Sequence, residues 1–217
     1  MVTTVAQLIA APVKTEIEKT LVRRFSLAEF MAVAEALPND KLELIDGEIV
    51  FMPPPTEKHM DLADRVVELF GLHTSEIIVG GGRISGSRYY ARPADLPAEW
   101  VEEDEKGSSH VCPDASIRRL AAKEGEPPPA FLVVEVLSLS KKGHIDRDLE
   151  TKPKIYAALE IPVYWVVDRR DQSVIVHTQP GGGDYKSRVK CQGDDVLSAP
   201  GLEFLQITPA QIFEASP

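Results

Sequence analysis

The sequence predicts an α+β fold on three observations. The stretch KLELIDGEIVFM alternates around a turn dipeptide, FLVVEVL is apolar on both faces, and apolar residues recur at helical intervals between Leu62 and His73. The first pattern is that of two strands joined by a tight hairpin turn, since Asp-Gly favours the positive φ angles of a type I′ turn. The second suits a strand central to a sheet. The third suits a long amphipathic helix.

Taken in order, residues 1–24 mix small apolar and charged types without turn chemistry and form an N-terminal arm, partly helical, ahead of one domain over 25–217. Ser26, with Glu29 three residues on and Leu27, Phe30, Met31 and Ala34 at helical spacing, marks a capping box and a helix to about Leu37. The hairpin follows, then the breaker Pro53-Pro54-Pro55, then the long helix. Gly80-Gly81-Gly82 and the segment to Arg92 suit a turn and an extended strand. VCPDASI reads as an apolar strand that Asp114 ends, EGEPPPA as a loop, and FLVVEVL as the central strand. A helix around Lys154 to Leu159 precedes the strand VYWVVD, the turn Arg169-Arg170-Asp171 and the strand SVIVH, a second hairpin. Thr208-Pro209 opens a short terminal helix, with proline at its first turn.

A chain of 217 residues with 43% hydrophobic content can bury one sizeable core. No run approaches the roughly 18 apolar residues of a membrane helix and no secretory apolar region is present, so a cytoplasmic protein is expected. Cys112 and Cys191 lack the close spacing of a zinc site and read as reduced thiols. A formal net charge of -10 argues against a general nucleic-acid binder, because affinity for phosphate comes largely from clustered cations. It leaves room for a nuclease, whose metal-binding carboxylates add negative charge. The acidic run from Glu99 to Glu105 reads as a solvated loop.

Glu135 lies in the middle of FLVVEVL, where flanking valines predict burial and an uncompensated carboxylate would cost several kcal/mol. Asp114, after Pro113, is the acid on the neighbouring apolar strand. A divalent cation shared by the two would compensate both, with Glu43 of LELID as a third oxygen ligand. An arginine partner for Glu135, and a turn or cap role for Asp114, are the alternatives that the pair alone leaves open. Hard oxygen donors suit magnesium or manganese, which polarise a phosphodiester and activate water.

Several stretches, in order, resemble the Uma-two family of restriction endonucleases within the PD-(D/E)XK superfamily. LELIDGEIVFMPPP with His59 looks like its opening hairpin, CPDAS like its PD motif, FLVVEVLS like its central EVxS strand, and DLETK with IYAALEIPVYWVVD like its closing helix and strand. The resemblance covers roughly Phe25 to Phe213. It implies a restriction-endonuclease-like core, a mixed sheet flanked by helices, and metal-dependent phosphodiester cleavage. It also implies metal binding by Asp114 and Glu135, with Glu43 matching an earlier glutamate.

The superfamily's lysine normally stands two residues after the central acid, where this chain has Leu137. The matching residue is Lys152 in DLETK, which would orient water or stabilise the charge that builds on the transition state. Pro153 follows it and pushes Lys152 away from α geometry. The helix is therefore expected to begin near Thr151, as cap, with Lys152 in its first turn and Lys154 as the fallback. His59, at a helix start, either faces substrate or is a capping or surface histidine. Lys141, Lys142 and Arg147, beside His144, either contact phosphates or belong to a mobile charged loop. Tyr156 and Trp165 read as packing.

The function expected is a metal-dependent nuclease acting on DNA, with Asp114, Glu135, Lys152 and Glu43 as its catalytic set. A double-strand cut would favour a homodimer. The alternatives are an inactive descendant serving as a binding or assembly module, motivated by the acidic charge and Pro153, and a hydrolase of smaller phosphodiesters.

Overall fold

The computed structural model describes residues 24–85, 109–119, 130–139 and 142–214. The N-terminal arm up to residue 23, the strand extension to Arg92, the acidic run Glu99 to Glu105, most of the EGEPPPA loop, and Lys141 lie outside the described residues. By its contacts the chain divides into two compact units, Met1–Pro54 with Tyr90–Val111, and Pro55–Tyr89 with Cys112–Pro217.

In the first unit, α1 (Leu27–Ala36) is opened by the expected capping box. Ser26 Oγ accepts from the Glu29 amide at 3.2 Å, and the Glu29 carboxylate accepts from the Ser26 amide at 3.0 Å. Strands β1 (Lys41–Ile45) and β2 (Glu48–Met52) pair antiparallel. Asp46 and Gly47 between them both take positive φ, 48° and 75°, as a type I′ turn requires. Phe30 and Val33 of α1 pack on Leu42 and Leu44 of β1 in a small core. His110 bridges to Leu44 and sets its ring against Phe30.

The second unit is built on a six-stranded mixed sheet in the order β3-β4-β5-β6-β7-β8. The strands are β3 (Gly82–Ser85), β4 (Ala115–Arg119), β5 (Ala130–Val136), β6 (Val163–Asp168), β7 (Ser173–Gly181) and β8 (Asp184–Gln192). FLVVEVL is indeed interior, between β4 and β6. All pairs are antiparallel except β5 with β6. A parallel pair needs a crossover, and residues between them supply it. They form α4 (Lys142–Asp146), a π-helical turn (Arg147–Thr151) and α5 (Lys152–Ala158).

Alternation along the strands gives the sheet two different faces. Ala115, Ile117, Leu132, Val134, Val163, Trp165, Val174 and Val176 form one core with Val66, Leu69 and Phe70 of α2 (Glu57–Gly71), and the C-terminal segment closes it. On the other face stand Glu135, Tyr164 and His177, and α5 covers that face. Two short helices complete the unit, α3 (Thr74–Val79) and α6 (Pro209–Phe213), the latter capped by Thr208 with Pro209 at its start.

Three sequence expectations require correction. Asp114 does not end a strand; it immediately precedes β4, with its amide bonded to the Val134 carbonyl at 3.0 Å. KKGHIDRD is no charged loop, because its described part is helical from Lys142 onward. The second hairpin, β6 with β7, is present as expected, but β7 runs on to Gly181 and pairs also with β8, a polar strand at the end of the sheet that was not expected.

Candidate active site

The constellation is assembled at the carboxyl ends of the parallel strands. Ala115 pairs with Val134, and Asp114 just before it bonds through its amide to the Val134 carbonyl and through its carboxylate to the Val136 amide, the two neighbours of Glu135 in β5. Acids gathered at one strand end repel unless cations intervene. Asp114 Oδ2 accepts from the Val136 amide at 2.8 Å and lies 3.2 Å from His59 Nε2, in the first turn of α2. Glu135, buried at 4% exposure, accepts at Oε1 from two donors. Both Lys152 Nζ and Tyr156 OH reach it at 2.7 Å.

Lys152 is fully buried, which a lysine tolerates only beside acids. Its second acid is Asp148, whose Oδ1 is 3.5 Å away and is also 3.6 Å from Arg147 Nε. Pro153 leaves the lysine in helical geometry, with φ -60° and ψ -35°. As expected, α-helix resumes at Lys152 with Thr151 at the cap, but the chain before it is helical too. The reason lies in the π turn. A proline inside an α-helix lacks a donor and its ring strikes the carbonyl four residues back, and a widened turn relieves both problems. The helical path therefore runs through the proline and aims Lys152 and Tyr156 at the sheet, so the proline gives no ground for displacing the lysine.

Burial raises the Tyr164 hydroxyl well above the usual tyrosine range, and Glu135, Asp148 and Asp114 raise it further. That hydroxyl donates to the Asp148 carbonyl at 2.8 Å, which pins the π turn to β6.

Sequence reasoning singled out Asp114, Glu135 and Lys152, and the structure brings all three together with His59. Glu43 is fully buried on β1, in the other compact unit. Arg147 is buried beside Asp148, and Lys142 begins α4. Asp148 and Tyr156 were missed, although the four-residue steps from 148 to 152 to 156 place all three on one side of a helix.

Among the described residues no group of three or more His, Cys, Asp and Glu side chains is arranged to hold a metal. The carboxylates of Asp114 and Glu135 still fit magnesium, which is commonly held by one or two carboxylates and keeps waters or substrate oxygens elsewhere.

A family model described as "Putative restriction endonuclease" matches residues 27–210. The chain belongs to this family, Uma2. No curated protein matches the sequence. Among solved structures, the chain is similar to one titled as a "putative nuclease" from Anabaena variabilis, at 16% identity, with a TM-score of 0.64 over 87% of this chain and 97% of that one. At that identity the likeness shows the fold, a mixed sheet flanked by helices. Membership of Uma2 supports a nuclease.

Proposed function

We propose that this Uma2 chain is a divalent-metal-dependent nuclease that hydrolyses phosphodiester bonds in DNA. The observation that carries the reading is Glu135, with Lys152 Nζ at 2.7 Å and the Asp114 carboxylate on the amide of the next residue, Val136, at 2.8 Å.

Asp114 and Glu135 would hold the ion. Magnesium or manganese there would polarise the phosphodiester and ready a water for in-line attack. Lys152 has two tasks. It holds Glu135 aimed through their 2.7 Å contact, and it would lay a positive charge beside the oxygens that gain negative charge as the water adds and the P–O bond breaks. Tyr156 restrains the same Glu135 oxygen, and His59 with the Val136 amide restrains Asp114. Such restraint matters because a misplaced carboxylate costs rate steeply.

Calorimetric titration with manganese tests the assignment of ligands. The full chain should bind the ion, and Asp114→Asn and Glu135→Gln should each weaken binding at least tenfold with an unchanged circular dichroism spectrum. Wild-type affinity in both folded variants would remove the basis of the reading.

A further inference from the structure

We infer that Arg169 is a phosphate clamp, gripping a backbone phosphate next to the one being cleaved. The inference rests on the nuclease reading and adds to it a substrate contact outside the acidic centre.

Position comes first. β5 and β6 run parallel, so their carboxyl ends share one end of the sheet, and the Leu137 amide joins them by donating to the Val167 carbonyl at 2.9 Å. Glu135 is near the end of β5, and Asp168 ends β6. Arg169 is the next residue.

The two neighbouring arginines have opposite fates. Arg170 is gripped by Asp168, with Nε at 2.9 Å from Oδ1 and Nη2 at 2.6 Å from Oδ2. Arg169 turns away and donates to Thr56 Oγ1 at 3.4 Å, with no carboxylate within 4.0 Å among the described residues. A contact of that length is weak, and giving it up costs little. Thr56 caps α2, and three residues on, about 4.5 Å along the axis, His59 touches Asp114. A guanidinium with no acid partner among the described residues thus touches Thr56, one helical turn from the residue that holds Asp114.

The chemistry fits a phosphodiester. Arginine offers planar paired donors that match phosphate oxygens, and successive phosphates of a strand are separated by only about 3.4 Å of helix axis. An arginine beside Thr56, one turn from the histidine that touches Asp114, is placed for a flanking phosphate, which it would grip without regard to base sequence.

The test is equilibrium binding of the full chain to a labelled DNA duplex and to a labelled single strand, with calcium in place of magnesium, across a salt series. For the duplex, Arg169→Ala should weaken binding severalfold on every sequence and reduce the slope of log affinity against log salt by about 0.9, the loss of one phosphate contact. Arg169→Lys should keep the slope, and all variants should melt as the wild type does. Wild-type binding with an unchanged slope in Arg169→Ala would overturn the clamp and leave the nuclease reading standing. Failure of the wild type to bind either nucleic acid would overturn both.

Discussion

Lys152 draws its burial from Glu135 and Asp148, and the dependence is mutual. Replacing it with methionine, of similar length and no charge, would leave two buried acids without the cation they share. Breaking a buried pair in this way costs about 3–5 kcal/mol, so Lys152→Met should unfold at much lower urea than the wild type in chelator. Magnesium should restore part of that loss by binding the native state. Equal stability in chelator would show that the lysine does not neutralise the acids. His177 bears on acid stability instead. It is buried against the rings of Tyr164 and Tyr185, and its Nε2 has no hydrogen-bond partner among the described residues. Burial, and then the charge of Arg188, push it from 6.5 down to about 4, against a smaller opposing pull from Asp184. Between those values the unfolded chain takes up a proton that the native one refuses. Stability contributed by neutral His177 is therefore complete above about pH 6.5 and is lost as pH falls toward 4. In urea melts across that window, His177→Phe should flatten the decline relative to the wild type; identical slopes would assign it elsewhere. At this scale Asp114 and Glu135 were legible because charges in apolar strands demand an explanation. Tyr156 was not, since a tyrosine on an apolar helix face reads as packing until the crossover brings its hydroxyl to Glu135.

Elements defined by local chemistry were read well, and those defined by distant partners were not. The capping box at Ser26, the Asp46-Gly47 turn and Thr208-Pro209 all act within a few residues and appear where their sequence signals stand. The π turn depends on Tyr164 and the acid cluster as well as on Pro153, so Pro153 alone suggested a break where the chain continues. β8 escaped notice because an end strand facing water carries Lys186, Arg188 and Lys190 instead of an apolar run. Close packing of α3 on β3 gives a prediction at this scale. A Cβ added at Gly82 would lie 2.8 Å from Ile77 Cγ2 and 3.0 Å from the Ile77 carbonyl. Gly82→Ala should therefore destabilise the unit by about 1–3 kcal/mol, read as a lower melting temperature. An unchanged melt would mean that the helix can shift aside freely.

For the molecule as a whole, the mixed sheet and its flanking helices agree with the Uma2 assignment, and the strand order was beyond reach of the sequence because pairing joins residues far apart in the chain. Charge sets the terms on which such a protein meets nucleic acid. At a formal -10 the chain repels a polyanion, so a few placed cations, Lys152 and Arg169 among them, would have to carry recognition together with a divalent ion. Binding to DNA should accordingly require divalent metal and collapse in chelator. Whether the Asp114 and Glu135 pair serves phosphodiester hydrolysis is read most directly by following cleavage of plasmid DNA in manganese by the wild type and by Glu135→Gln, each confirmed folded. The wild type should cleave, chelator should abolish the cleavage, and Glu135→Gln should slow it at least a hundredfold. Equal cleavage by both proteins, or none by the wild type, would contradict that role for the pair.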